Sequence, residues 1–200
     1  PAYLGLNTTA SANRVFPKAE WYGSIWDQIK QLFYLTKPIK NQQFDGGLNI
    51  YCGTICFVLL FVYLLNRRIK LWDKVKNVII LVVIFASFNN QLLNYIWHGF
   101  HDQYGIPNRF SFLFIFLLLA MCCEVLMKLQ KKDILSVMLG IACGYAFLIL
   151  ATKKCTLEKE TLLWTEIFIT AYAVCMVGFT LTKGMWKRII SYVLLIVCLV

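Results

Sequence analysis

The chain contains two histidines, and both fall in one short stretch with an acid and an arginine: Trp97-His98-Gly99-Phe100-His101-Asp102-Gln103-Tyr104-Gly105-Ile106-Pro107-Asn108-Arg109. A guanidinium at Arg109 suits a phosphate, which it can hold through two parallel hydrogen bonds. The same side chain would serve equally as an interface anchor whose charged head reaches toward water. His98 and Asp102 stand four apart and could pair if a helix continues that far, with Gly99 and Gly105 acting against it. The plainer role of the histidines is to fix the bend by hydrogen bonding. His98, His101 and Asp102 are also metal-ligand types, but three such residues without a fixed partner do not define a site, and no metal or other cofactor is expected.

The stretch is the end of a longer polar row. Ser87, Asn90, Asn94, His98 and His101 advance by three, four, four and three residues, the spacing of one helical face, and Gln91 sits beside them. In a membrane helix such a row costs free energy unless it faces protein or water. Glu124 lies within another apolar run and can reach Lys128 one turn on. Glu166, at the start of a later run, reads as an interface residue. Neither makes a catalytic pair.

The elements that must position these residues are membrane helices. Sixty per cent of the 200 residues are apolar, and the mean hydropathy is +0.65. Several continuous runs of Leu, Ile, Val and Phe approach the roughly 20 residues that cross about 30 Å of hydrocarbon. Continuity argues for helices over the alternating strands of a barrel. The expected fold is all-α, a polytopic bundle of about five complete spans at 49–65, 77–96, 110–127, 134–151 and 165–182. A sixth run begins near Ile189 and is cut off, so the chain reads as an internal piece of a longer protein. Residues 1–48 form a separate segment, less apolar than residues 49–200. Within it Trp21, Ile25, Ile29, Leu32 and Phe33 recur at helical intervals, predicting an amphipathic helix at the headgroup level or packed on a neighbouring domain. Asn7-Thr8-Thr9 matches a glycosylation sequon, a pattern common by chance.

Charge sets the expected orientation. The net charge of +10 would suggest a nucleic-acid partner in a soluble chain, but here no such partner is expected. Arg67, Arg68, Lys70, Lys74, Lys76, Lys128, Lys131, Lys132, Lys183, Lys187 and Arg188, eleven cations, follow the first, third and fifth spans. Only Arg109, Lys153, Lys154 and Lys159 follow the second and fourth, together with Asp102, Glu158 and Glu160. The positive-inside rule then puts the first set in the cytoplasm, and residues 1–48 and the 97–109 bend outside. Seven of the eight cysteines fall within apolar runs and Cys155 alone lies in a loop, so they read as packing residues, not as a disulfide framework.

Leu93-Asn94-Tyr95-Ile96-Trp97-His98-Gly99-Phe100, followed by Pro107-Asn108-Arg109-Phe110-Ser111-Phe112-Leu113-Phe114, resembles the bacterial YfhO-type multi-pass membrane proteins. Those proteins carry a Trp-His-Gly-Phe stretch, then Pro, an aromatic or polar residue, Arg, an aromatic, Ser and Phe. Asn108 stands where an aromatic is common, which leaves Arg109 in register. Pro1-Ala2-Tyr3-Leu4 with Thr8-Thr9-Ala10-Ser11, and Gly47, Tyr51 and Gly53, are weaker echoes of the same family. The resemblance implies a GT-C-like glycosyltransferase of the bacterial cell membrane. Its donor would be a polyprenyl-phosphate-linked sugar, and its acceptor an extracytoplasmic cell-wall polymer such as lipoteichoic acid. The main catalytic acid of such enzymes usually lies in an exterior loop upstream of the residues here. On this view Arg109 meets the donor phosphate, and His98, His101, Asn94, Asn90 and Trp97 line the substrate cleft. Asp102 is then an accessory acid or base. Membrane lipid would border the cleft along the amphipathic helix.

Two other functions compete. A lipid or sugar transporter or flippase would use the same row as a substrate path, and should show inverted repeats and helices broken near the midplane. A non-catalytic membrane assembly subunit would use it only to bind helix to helix. No internal repeat is visible, and the row reaches one end only, which favours the enzyme.

Overall fold

A computed structural model describes residues 16–37, 48, 50–100 and 108–199. Among these residues every regular element is a helix. The bundle is organised around α2 (Thr54–Leu65), which follows the short α1 (Ile25–Lys30). Helix α2 is apolar on all faces, the pattern of a helix surrounded by protein. Cys56, Val58, Leu59, Val62 and Tyr63 are all buried. Around it pack α5 (Ser111–Lys128), α6 (Ile134–Lys154) and α7 (Lys159–Leu181). Helix α3 (Leu71–Ser87) lies on α5 and continues into α4 (Gln91–Trp97), while α8 (Met185–Leu199) lies against α7.

The closest approach is between α2 and α6. A Cβ built on Gly140 would sit 2.6 Å from Val62 Cγ2 and 2.9 Å from the Val62 backbone nitrogen. One turn on, Gly144 meets Val58 Cγ2 at an ordinary 3.7 Å. Two glycines four residues apart thus let α6 lie against the Val58–Val62 face of α2, as small residues do where membrane helices meet.

Among the described residues three helical segments are long and apolar enough to cross a membrane: Ser111–Lys128, Lys131–Lys154 and Lys159–Leu181. They correspond to the third, fourth and fifth expected spans. The first two differ from expectation. Helix α2 begins only at Thr54, after Gly53 at φ 101°, and its 12 residues cover about 18 Å at 1.5 Å per residue. The second is not continuous. It starts earlier, at Leu71, and breaks at Phe88–Asn90. The break persists because another part of the chain satisfies the freed backbone. Tyr22 N donates to Asn89 O and Gln91 N to Glu20 O, with Trp21 and Asn90 paired as an isolated antiparallel bridge. Asn89 completes the clasp: its side-chain oxygen accepts from Gly23 N at 3.0 Å and its amide donates to Gly23 O at 2.8 Å.

That clasp also fixes the N-terminal segment to the bundle. The helix there is only six residues, capped by Ser24, and it is docked on the bundle. Phe33 is buried beside Val58, Leu148, Ala151 and Ile169, with Trp26 and Ile29 packed against the same cluster. Trp21 remains open to its surroundings.

At the far end the basic loops come together. Arg68 Nε donates to Asp133 Oδ2 at 2.7 Å, and the same oxygen accepts from Gln130 N. Ser136 Oγ donates to Leu65 O, and Lys74 Nζ to Leu64 O. Glu124 does pair with Lys128, at 2.6 Å. The described cysteines are unbridged, and Cys155 is buried with its thiol on Ala151 O, while Cys123 is exposed.

Because Val62 backbone as well as side chain meets Gly140, Gly140→Leu is expected to destabilise the full-length protein strongly, and Gly140→Ala by about 1–3 kcal/mol. Gly144→Ala should be nearly neutral. Thermal unfolding of the detergent-solubilised variants checks this order; equal midpoints for Gly140→Leu and Gly144→Ala would overturn it.

Candidate functional site

The polar row is real but is not one helical face. Asn90 is the N-cap of α4, its side-chain oxygen accepting from Leu93 N at 3.1 Å, so its amide is committed to starting the helix. Asn94 is buried and donates from Nδ2 to Ser87 O at 3.2 Å and to Asn108 Oδ1 at 2.6 Å. Ser87 Oγ donates to Val83 O and accepts from Trp97 Nε1 at 3.1 Å. The row therefore binds the end of α3, the whole of α4 and the start of α5 into one unit. Gln91 is held by its backbone to Glu20.

Helix α4 ends at Trp97. Phe100 N donates to Tyr95 O and Gly99 N to Ile96 O, with Gly99 at φ 69°, the paired bonds of a glycine-terminated helix. Helix α4 therefore does not continue through Gly99, the condition on which a helical pairing of His98 with Asp102 rested. His101, Asp102, Gly105 and the sequon at Asn7 all lie outside the described residues.

Asn108 is the hub that the sequence reading passed over. It is buried, in left-handed backbone at φ 53°, and its carbonyl accepts from Ser111 N at the start of α5. An asparagine tolerates that backbone better than most residues, and its side chain closes the bond to Asn94. Next to it Arg109 is exposed, and Phe110 is buried between Trp97 and Phe88.

His98 is held by its ring. Nδ1 lies 2.9 Å from Asn94 O, a pure acceptor, so Nδ1 carries the proton and donates. Burial pushes the imidazolium below its usual range, the Asn94 carbonyl partly opposes this, and the Arg109 charge adds to the lowering. The ring is neutral at pH 7, and its Nε2 is an acceptor. Among the described residues buried Nε2 has no hydrogen-bond partner, and neither does Asn94 Oδ1 one turn earlier. Two buried acceptors thus await donors, a preference for hydroxyl or N–H groups rather than for phosphate oxygens.

Below the bend runs a column of rings. Trp97 stacks on Phe110 at 5.2 Å between centroids, Phe110 on Phe88 at 4.9 Å, and Phe88 meets Phe114, which lies 5.7 Å from Phe85. Phe85 and Phe114 in turn line an apolar cavity of about 290 Å³. Its other walls include Ile29 of α1 and Leu32 after it, Cys52 and Gly53, Cys56 and Phe57 of α2, and Leu81 of α3. Among the described residues no group of three or more His, Cys, Asp or Glu is placed to hold a metal.

A bundle that is all-helical among the described residues, with three crossing-length apolar helices there, is the pattern of a membrane protein. Over residues 1–200 the chain matches the family described as bacterial membrane protein YfhO, and it belongs to that family. No curated protein and no solved structure matches the chain.

The depressed imidazole makes stability pH-dependent. An unfolded histidine protonates near pH 6.5. Between that value and the lowered folded one, the unfolded chain binds more protons, so acid destabilises the fold there. The wild-type unfolding midpoint should fall from pH 7 to pH 5 by more than that of His98→Gln. Parallel curves would remove the buried neutral ring.

Proposed function

We propose that this chain is part of a membrane glycosyltransferase taking a sugar from a polyprenyl-phosphate donor to an extracytoplasmic cell-wall polymer such as lipoteichoic acid. The observation that carries the reading is the pair of unpartnered buried acceptors, His98 Nε2 and Asn94 Oδ1, near Arg109. Sugar hydroxyls are donors that would satisfy the acceptors, and a guanidinium suits the phosphate that carries the sugar. The apolar cavity reached by the ring column is a setting for a lipid chain, which supports a lipid-linked donor.

In this reading the bond from the anomeric carbon to the phosphate oxygen breaks, and Arg109 offsets the charge left on the phosphate. The neutral His98 ring orients the sugar by accepting a hydroxyl. Asp102 would assist proton transfer, with the principal base upstream. Asn90 and Trp97 act through position: one caps α4, and the other stacks the bend onto Phe110. The bend and residues 1–48 would face the outside, opposite the basic end.

The break between α3 and α4 favours a second reading, a transporter with a discontinuous helix. Against it, the break lies about 25 Å along from Leu71 at 1.5 Å per residue, near one end and not at the midplane. It is also closed by the Glu20–Gly23 clasp.

In the full-length protein, Arg109→Ala and Arg109→Lys are expected to abolish sugar decoration of the wall polymer while the protein stays in the membrane. Undiminished decoration would exclude the phosphate role. His98→Ala should lower transfer by the purified enzyme roughly tenfold, the scale of one lost hydrogen bond, and more than His101→Ala does. Equal, negligible effects would make both histidines structural.

A further inference from the structure

The end of the bundle opposite the bend contains a second cavity, of about 570 Å³, between the turn that opens α6 and the turn that joins α7 to α8. Gln130, Lys131, Lys132, Thr182, Lys183 and Lys187 line it. Among the described residues no carboxylate does. The nearest acids in sequence are already engaged, Asp133 by Arg68 and Glu124 by Lys128. Lys187 is held at the rim by Phe179, its ammonium 4.3 Å from the ring centroid.

A tendency of cations to stay on one side of the membrane explains why this end is basic. It does not require four lysines from two separate turns to converge on one cavity. Their placement is also unfavourable in isolation. Lys131 and Lys132 form the turn that opens α6, Lys183 and Lys187 flank the start of α8, and no acid lies in the first turn of α8. Cations at the positive ends of helices repel the helix dipole. An anion between them reverses that sign.

The surroundings identify the kind of anion. Next in sequence to the lining residues, Met127 and Leu181 at the ends of membrane-length helices and Met185 and Trp186 at the start of α8 present exposed apolar surface. A tryptophan at this level is typical of the headgroup boundary. We infer that this cavity binds the phosphate headgroup of an anionic phospholipid, with Lys131, Lys132, Lys183 and Lys187 as its cationic lining and the acyl chains along α7 and α8. It is separate from the site at the bend and does not depend on the glycosyltransferase reading.

The test uses the purified full-length protein in a neutral detergent. Binding of phosphatidylglycerol, of phosphatidylcholine with the same acyl chains, and of inorganic phosphate is measured by native mass spectrometry and by shift of the thermal midpoint. Phosphatidylglycerol is expected to bind at least about tenfold more tightly than the other two. Lys131→Gln with Lys187→Gln should weaken it roughly 30-fold, the factor that two lysines near an anionic surface carry. Arg67→Gln with Lys70→Gln, an equal loss of charge at the same end but outside the cavity, should change it less than about threefold. Equal loss in the two double variants would reduce the effect to a diffuse field and overturn the site. Equal binding of phosphatidylcholine would do the same. Inorganic phosphate binding as tightly, with the same lysine dependence, would make it a soluble-anion site and overturn the lipid assignment. If the first pair lowers the midpoint without any lipid, Lys132→Gln with Lys183→Gln takes its place under the same criteria.

Discussion

The approach of α6 to α2 at Gly140 is the constraint on which the rest of the bundle depends. Helix α2 is too short to cross a membrane by itself, yet it lies at the centre, with apolar residues on every face. It can do so only if three longer helices enclose it, and one of them must come close enough for a glycine to touch Val62 backbone. Contact of that kind works through packing rather than through water exclusion, because lipid tails are as apolar as the side chains they replace. With α2 fixed, the second cluster around Val58 has a floor, and α1 and Phe33 can dock on it.

The helix break at Phe88–Asn90 follows a related economy. An interrupted helix exposes amides and carbonyls that hydrocarbon cannot satisfy. Here residues 20–23 supply the partners in backbone pairing and through the Asn89 amide. Asn94 and Asn108 then tie the far side of the break to α5. Much of the polarity that looked like a substrate path is spent on this closure. What remains is narrower and chemically more specific: one imidazole nitrogen and one amide oxygen without donors, near an exposed arginine.

The two ends of the bundle contrast electrostatically. At the bend Arg109 stands near two buried acceptors, and the ring column leads from them to an apolar cavity. At the other end four lysines from separate turns line a cavity without a carboxylate among the described residues. Membrane-length helices hold these ends apart, so lipid chemistry at one need not interfere with the other.

What the sequence by itself determined is local. Continuous apolar runs set three membrane-length helices, Gly99 marked the end of α4, and Arg109 stood at the start of α5. The four-residue spacing of Gly140 and Gly144 says nothing by itself about which helix they meet. The tertiary structure decided what depends on distant partners. Hydrophobic periodicity treated 77–96 as one helix because it cannot register Glu20–Gly23, whose bonds to residues 89 and 91 hold the break open. The same limit hid Asn108, whose role is a bond to Asn94 across the bend. Helical spacing could group Asn94 with His98, but only the fold could show which of their polar atoms had been used. Periodicity records which face a residue occupies; pairing across the chain determines what that face is left free to bind.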